Sequence, residues 1–389
     1  MRIKMKHLVA ISLIPYSLMA HGGYSGDESM GQTSSSFKQG EILPKEQYLS
    51  GYNAPSQVKL ETYEGKWMPD LYVDLQYLYY HVDEDGLDLA SSANLLVSDI
   101  SKVAAPSSQG KVLFQDFDYK SGFKVGIGSR FCEWTVDASY TWIRQKNSTQ
   151  KTALSADIPG AIGVWQLNNW FVQNAPNYQR LSASHVSSEW KIALDVADLS
   201  LSRAFYQGTH LSITPSMGLR GAWIRQNLEV GIVIPLQLIA NQAQPTTISH
   251  NTSRSWSIGP RATLEADLLL GKGFRLEGEV GGSVLFTQYT TIEHNEKTAT
   301  ASSLPSTIVV GATNYNCLRP VGECALGLGW GRYLDNQKYH IDFSATYDFA
   351  VFWSQNMMRY LMDSTISGSG ASAGNLNMHG LNIAFKFDF

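Results

Sequence analysis

The last ten residues of the chain, GLNIAFKFDF at positions 380–389, decide the fold. Every second position of this stretch is apolar: Leu381, Ile383, Phe385, Phe387 and Phe389. Because successive side chains of a β-strand point to opposite faces, the pattern predicts a strand with one apolar face and one polar face. A soluble β-sandwich and a membrane barrel both use such strands, so the rest of the chain has to distinguish them.

The N-terminal segment 1–20 has the pattern of a secretory signal peptide. Three basic residues precede an apolar run at 8–18, which is too short to span a bilayer comfortably, and a small residue follows at Ala20. We therefore expect cleavage between Ala20 and His21. Residues 21–66 are polar and lack sustained periodicity, which predicts a flexible periplasmic leader before a folded region at 67–389.

The composition of the chain favours an outer-membrane barrel. Only 16% of residues are charged, whereas 19 Tyr, 15 Phe and 10 Trp accompany 33 Gly. The mature sequence has no apolar run of about 18 residues, which a membrane-spanning helix would need. Loss of the three basic signal residues leaves 27 basic against 34 acidic residues, so nucleic acid is not expected as a partner.

The order of strands predicts an all-β fold, a transmembrane antiparallel up-and-down β-barrel with short periplasmic turns and long outer loops. A sandwich gives no reason for strict alternation of short and long connections. A hairpin within the second loop, IGVWQLNNWFV at 162–172, would raise the number of strands to twelve, and a slip of alternation near Asp198 predicts a bulge. The ten predicted strands are 71–82, 119–131, 134–143, 185–196, 211–224, 255–270, 274–286, 323–333, 339–351 and 380–389.

The parity of each strand assigns polar side chains to the interior. By this parity, the interior is predicted to hold eight basic and twelve acidic groups. The acidic groups include Asp195 and Asp388. Opposite charges in a narrow lumen should pair, which leaves a small acidic excess and predicts a weak cation preference. The predicted pore-lining residues are Asp74, Gln76, Lys120, Lys124, Arg130, Asp137, Glu189, Lys191, Arg220, Arg261, Glu265, Asp267, Arg275, Glu277, Glu279, Glu323, Asp342, Asp348 and Lys386.

Two resemblances add to this interpretation. The terminal Phe385, Phe387 and Phe389 resemble the C-terminal signal by which outer-membrane barrels are recognised, which implies the barrel-assembly machinery as a partner. The stretches LYVDLQYLYYHVDEDGLDLA at 71–90, HLSITPSMGLRGAWIRQ at 210–226 and LRPVGECALGLGWGR at 318–332, with the terminal strand, resemble the major-outer-membrane-protein-like family of Legionella and chlamydia-related bacteria. The resemblance implies an abundant, pore-forming surface barrel and carries no substrate specificity.

We therefore expect passive diffusion of small hydrophilic solutes and ions across the bacterial outer membrane, with lipid around the barrel. The alternative is a structural or adhesive surface barrel with a filled lumen, because ten strands enclose a narrow interior. The alternating glycines at 327, 329 and 331 suit a narrow interior and are not followed by the strand-to-helix unit of a nucleotide-binding loop. No enzyme activity, cofactor or resident metal is expected, and formation of homo-oligomers is left open.

Two features near the outer rim leave alternatives open. HVDEDGLD at 81–88 gathers one histidine and four carboxylates, which a solvated loop, a metal site or a rim protease of the ten-stranded omptin type would each explain. Cys132 is predicted at a periplasmic turn, away from Cys317 and Cys324 near the opposite rim. Either Cys317 and Cys324 form a local disulfide, or thiols cross-link neighbouring chains.

Overall fold

The computed structural model describes residues 70–92, 111–131, 133–152, 161–163, 165, 185–233, 246–300, 303–334, 339–367 and 373–389. The predicted signal peptide, its Ala20–His21 cleavage point, the leader at 21–66 and Cys132 lie outside these residues. In the described part of the chain, no helix combines the length and apolar character needed to cross a bilayer.

Strands account for nearly all of the described structure, and one helix interrupts them. The strands are β1 (Asp70–Glu84), β2 (Asp88–Ser92), β3 (Val112–Phe114), β4 (Tyr119–Phe131), β5 (Trp134–Thr152), β6 (Ala161–Gly163), β7 (His185–Arg203), β8 (Tyr206–Gln207), β9 (Leu211–Val233), β10 (Thr246–Gly271), β11 (Phe274–Thr300), β12 (Ser303–Ala312), β13 (Tyr315–Leu334), β14 (Tyr339–Asn356) and β15 (Gly374–Asp388). The helix α1 (Met357–Ser367) lies between β14 and β15.

Ten of these strands form a closed antiparallel barrel in the order β1, β4, β5, β7, β9, β10, β11, β13, β14 and β15. The barrel closes between its first and last strands, where Tyr72 lies opposite Asp388 and Glu84 lies opposite Leu376. All ten predicted strands are confirmed. The twelve-strand alternative is wrong, because β6 pairs with β2 in a separate sheet and does not enter the barrel.

A band of exposed apolar side chains surrounds the barrel. On β1 the band runs from Leu71 to Tyr79, and on β9 it runs from Leu211 to Trp223. About nine to eleven residues of a tilted strand cross a bilayer, so these segments span the membrane. The short turns and the chain's C-terminal residue lie at one end of the band, which the usual orientation of bacterial barrels places in the periplasm.

Five strands continue well beyond this band as an outer extension, which comprises residues 144–152 of β5, 185–195 of β7, 224–233 of β9, 246–256 of β10 and 288–300 of β11. The outer wall becomes polar here, for example at Arg225 and Glu229 of β9, while the inner wall becomes apolar at Leu228 and Ile232. Water replaces lipid outside the extension, so apolar side chains turn inward as they do in a soluble protein. Residues 226–253, a predicted long loop between the predicted strands 211–224 and 255–270, are therefore mostly strand.

Two corrections concern β7. Asp198 lies in unbroken register opposite Ser139 of β5 and Arg220 of β9, so the predicted bulge near Asp198 is wrong. The apolar run Val186, Trp190, Ile192 and Leu194, predicted to face lipid, is buried inside the barrel. The even-numbered residues of β7 face inward along the whole strand. The apolar residues change from even positions such as Leu194 to odd positions such as Leu199, because the surroundings of the outer face change from water to lipid.

The outer end of the barrel carries a cap formed by β2, β3, β6 and α1. The three short strands form an antiparallel sheet, and Leu89 and Ala90 of β2 are completely buried in the core of the outer extension. Met358 and Met362 of α1 enter the same core. The cap therefore adds apolar side chains to the barrel interior at its outer end.

Candidate functional site: the barrel interior

The interior divides into a polar cavity near the periplasmic end and an apolar core near the outer end. The cavity has a volume of about 1280 Å³ and is lined by side chains from all ten barrel strands. Its lining reaches Glu133 and Gln207, which belong to the short turns, and ends at Leu194, Phe352 and Met378 of the apolar core. The polar path from the periplasmic end thus meets apolar side chains before it reaches the outer rim.

One chain of ion pairs crosses the cavity. Arg220 of β9 donates hydrogen bonds to Asp198 of the adjacent β7 at 2.7 and 2.9 Å, and to Glu323 of β13 at 2.9 Å. Glu323 also accepts from Arg261 of β10 at 2.6 Å, and Arg261 donates to Glu279 of β11 at 2.9 Å. Because β10 and β11 lie between β9 and β13 in the wall, the bridge from Arg220 to Glu323 spans the interior.

A second network surrounds Arg275 of β11. Its guanidinium donates to Glu277 at 2.9 Å and to Asp342 of β14 at 2.8 Å, and it lies 3.6 Å from Asp267. The side chain crosses β13 at Gly329, where an added Cβ would stand 2.5 Å from the guanidinium carbon. The glycine expected from a narrow interior thus provides the space for an arginine to reach a carboxylate two strands away.

The closing strands contribute a third group of contacts. Tyr80 of β1 donates to Asp348 of β14 at 2.5 Å, and Asn382 of β15 donates to the same carboxylate at 3.0 Å. The Lys386 ammonium lies 3.9 Å from the centroid of the Tyr72 ring, which is a cation–π distance. Polar side chains therefore tie the seam between β1 and β15 from the inside.

The cavity wall carries more acidic than basic side chains. Six basic and eleven acidic residues line it. Within the described part of the chain, the lining carboxylates Asp74, Asp137, Glu265 and Asp348 have no basic partner within ion-pair distance. Arg220, Arg261 and Arg275, by contrast, each pair with two or more carboxylates. The carboxylates outside the arginine networks therefore lie on β1, β5, β10 and β14 of the wall.

The cap is fixed over the outer end by polar contacts to the turn that follows β1 and to the first residue of β2. Asn356 caps α1, since its side-chain oxygen accepts from the Arg359 backbone N–H at 3.0 Å, and its amide donates to the Asp85 carbonyl at 2.9 Å. The Arg359 guanidinium donates to the Asp88 carboxylate at 2.8 Å. The helix is thereby held to the turn between β1 and β2.

The structure brings together most of the predicted pore-lining residues. Lys120 faces inward opposite Tyr80 but lies beyond the cavity lining, and Asp388 is buried against His340 at 2.8 Å. Sequence reasoning missed Asp198, which lies inside because its neighbour Leu199 faces lipid. Sixteen predicted residues line the cavity, namely Asp74, Gln76, Lys124, Arg130, Asp137, Arg220, Arg261, Glu265, Asp267, Arg275, Glu277, Glu279, Glu323, Asp342, Asp348 and Lys386.

Glu189, Lys191 and Asp195 were predicted to line the pore and instead lie on the outer face of β7. Glu189 pairs with Lys146 at 2.8 Å and with Lys191, and hydrogen bonds from these two lysines lower the pKa of its carboxyl to about 2. Asp195 pairs with Arg144 at 2.7 Å. These three residues belong to the water-facing surface of the outer extension, where charged side chains point outward.

The local disulfide between Cys317 and Cys324 is wrong. Both cysteines are free and lie on β13, where Cys317 is opposite Thr287 and Cys324 is opposite Val280. Seven residues of extended strand separate their Cα atoms by about 23 Å, far beyond the reach of a disulfide. Cys324 is exposed on the outer wall, so cross-linking between neighbouring chains stays a prediction.

The predicted assembly residues share the outer wall. Phe387 stacks on Tyr339 with ring centroids 5.9 Å apart, Phe385 lies 4.9 Å from Phe343, and Phe389 is exposed. These ring contacts lie on the outer wall and do not enter the barrel interior. Their role as an assembly signal stays a prediction.

A closed antiparallel barrel with an apolar outer band and a polar interior defines a bacterial outer-membrane β-barrel protein. The family model described as "Legionella pneumophila major outer membrane protein precursor" matches residues 69–389. The chain belongs to this family.

Comparison with solved structures finds other outer-membrane barrels. The outer membrane protease OmpT of Escherichia coli has 8% identity and a TM-score of 0.39, and the alignment covers 85% of this chain and 100% of OmpT. A major outer membrane protein of Thermus thermophilus has 9% identity and a TM-score of 0.25, with 82% and 99% covered. The toluene transporter TodX of Pseudomonas putida has 8% identity and a TM-score of 0.23, with 86% and 92% covered. None of these likenesses is close enough to imply a shared function, and no curated protein matches the sequence.

Proposed function

We propose that the protein is an outer-membrane porin that admits small hydrophilic solutes and ions, with a weak preference for cations. The observation that carries the proposal is the polar cavity of about 1280 Å³ inside the membrane-spanning part of the barrel. A barrel that serves only as a scaffold has no need to keep so large a polar volume free of side chains.

The outer end supplies the gate of this porin. The cap is composed of connecting segments and not of barrel strands, so it can move while the wall keeps its hydrogen bonds. Its polar fastening includes the Arg359–Asp88 ion pair, which is partly exposed. Partly exposed ion pairs contribute little stability, on the order of 1 kcal/mol or less. Transient release of α1, together with displacement of the apolar side chains that close the outer half of the interior, would connect the cavity with the outer surface.

The cation preference follows from the acidic excess of the wall. Six basic against eleven acidic residues leave an excess of five carboxylates. Because the arginines hold several carboxylates in ion pairs, a passing ion mainly encounters Asp74, Asp137 and Asp348. The preference should fade as salt rises, since the Debye length falls from about 8 Å at physiological ionic strength to about 3 Å at 1 M.

Planar-bilayer recording of the purified, folded protein tests the proposal. We expect discrete conductance steps and a reversal potential across a salt gradient that has the sign of cation preference. The preference should be larger at 0.1 M than at 1 M salt. A clear anion preference would contradict the proposed charge of the pathway.

The second candidate is a structural surface barrel with a permanently filled lumen. The apolar core around Trp190, Leu194, Ile224, Leu228 and Phe352 favours it, because these side chains are almost completely buried and close the outer half of the interior. A protein that never conducts, even after the fastening of α1 is removed, would establish this candidate and exclude the porin.

A further inference from the structure

Two histidines and one carboxylate meet on the outer wall at the seam that closes the barrel. His81 of β1 lies directly opposite His379 of β15, and Asp83 lies two residues along β1 on the same face. One ligand atom from each of the three residues lies within 4.8 Å of the others. The cluster stands just outside the membrane-spanning band, which ends on β1 at Tyr79.

The side chains around the cluster orient its ligand atoms. Nδ1 of His379 lies 2.7 Å from the Tyr347 hydroxyl, which can accept its N–H and leave the Nε2 lone pair free. The second carboxylate oxygen of Asp83 accepts a hydrogen bond from Asn377 at 3.0 Å. The two imidazole rings stack with centroids 5.1 Å apart. Each potential ligand is thus held by a neighbour that is not itself a ligand.

One atom of the cluster has no partner. Nδ1 of His81 is inaccessible to water and makes no hydrogen bond among the described residues, although it lies 3.6 Å from Oδ1 of Asp83. A buried polar atom without a partner costs about 1–3 kcal/mol, so such atoms call for an explanation. Two ligand atoms of a tetrahedral zinc site stand about 3.3 Å apart, given bonds of about 2.0–2.1 Å. The gap between His81 and Asp83 is close to that separation.

We propose that His81, Asp83 and His379 bind a first-row divalent metal ion of the zinc type. Imidazole nitrogens with one carboxylate oxygen form a donor set that suits such ions and suits Ca²⁺ or Mg²⁺ poorly. The three ligands leave at least one coordination position for water. Because His81 and Asp83 come from the first barrel strand and His379 from the last, the bound metal links the two ends of the sheet.

The test uses the purified, folded full-length barrel in detergent with Zn²⁺ as the probe. Isothermal titration after treatment with a chelator should show one tight zinc equivalent, and zinc should raise the temperature at which the folded band is lost on gels. His379→Gln keeps a partner for Tyr347, and His81→Phe keeps the stacked ring. Each change should weaken zinc binding at least about tenfold and abolish the thermal shift.

His250 provides the matched control. It also stands beside a carboxylate on an outward face, 3.3 Å from Glu229, but the described residues give this pair no second histidine as a ligand. His250→Gln should leave zinc affinity and the thermal shift unchanged. Equal zinc binding by the parent, His379→Gln and His81→Phe, each shown to be folded in the absence of zinc, would overturn the proposal. Equal loss in His250→Gln would overturn it as well.

Discussion

Glu84 is an ionisable side chain held inside the apolar core of the outer extension. It is almost completely buried, and Gln226 donates a hydrogen bond to one of its oxygens at 2.8 Å, while the other oxygen has no partner in the described structure. Burial raises the pKa of the Glu84 carboxyl to about 8, against the opposing effect of the Gln226 hydrogen bond. The side chain is therefore protonated in the folded protein at neutral pH.

This shift predicts a pH dependence of stability. The folded pKa is raised above an unfolded value of 4.5, so the folded state binds more protons between pH 4.5 and 8. Stability should fall across that window by an amount on the order of a few kcal/mol. The unfolding temperature of the parent should drop between pH 5 and pH 8.5, and Glu84→Gln should remove most of this drop. Glu229→Gln, at an exposed position, should keep it; equal drops in all three proteins would contradict the buried, protonated state.

The unpaired carboxylates of the cavity give a second prediction at this scale. The double variant Asp74→Asn with Asp137→Asn removes negative charge that no described basic residue holds in an ion pair. We expect the reversal potential across a salt gradient to shift toward anions by several millivolts at low salt. Glu189→Gln is the control, because Glu189 lies on the outer face. A shift in the control but not in the double variant would reverse our assignment of inward residues.

At the scale of elements, α1 is the segment that we propose as the gate. Replacing Arg359 by Ala removes the contact to Asp88 at 2.8 Å and leaves the buried methionines in place. We expect the open probability of single channels in a planar bilayer to rise severalfold. Arg254→Ala, which removes an exposed arginine from the outer face of β10, should leave gating unchanged. A conducting parent whose gating does not respond to Arg359→Ala would show that α1 is not the gate.

The terminal strand β15 gives the second prediction for an element. Phe389→Ser removes an exposed side chain, so we expect a small effect on the stability of a barrel refolded in detergent. In cells, by contrast, the folded, heat-modifiable population should fall, because we propose that Phe385, Phe387 and Phe389 are read by the assembly machinery. Gel mobility before and after heating measures the folded fraction. Normal folded levels in cells would mean that the terminal pattern is only a strand.

The barrel strands could be predicted from sequence because alternation is a local property. The inward and outward faces of β1, β4 and β15 were predicted correctly, since lipid lies outside these strands and a polar cavity lies inside. The inward and outward faces of residues 185–196 in β7 were predicted the wrong way round. An apolar face points inward, and not outward, once water lies outside the wall. The cluster of His81, Asp83 and His379 could not be predicted either. His379 is far from HVDEDGLD in the sequence, and closure of the barrel brings them together.

The cap was not predictable for a different reason. β2, β3 and β6 are three to five residues long, too short for an alternating pattern to exceed chance. α1 lies in the connection between the predicted strands 339–351 and 380–389, whose Gly and Ser residues indicate irregular structure. Its methionines are buried by the surrounding strands, so tertiary packing decides its structure.

At the scale of the whole molecule, the outer extension makes the barrel much taller than the membrane. Ten strand residues above the apolar band, as in β10, rise about 25 Å at a tilt of about 40°. This height places a hydrogen-bonded wall where many barrels present only loops.

The outer extension affects how proteases and antibodies can act on this protein at the cell surface. A protease cleaves extended backbone that fits its active site, and a strand paired on both sides cannot enter one. Protease treatment of intact cells should therefore cut connections at the rim and leave the strands of the outer extension intact. Antibodies that bind the outer extension would have to recognise side chains from several neighbouring strands at once. Such epitopes exist only after folding, so immunisation with denatured protein should fail to raise them.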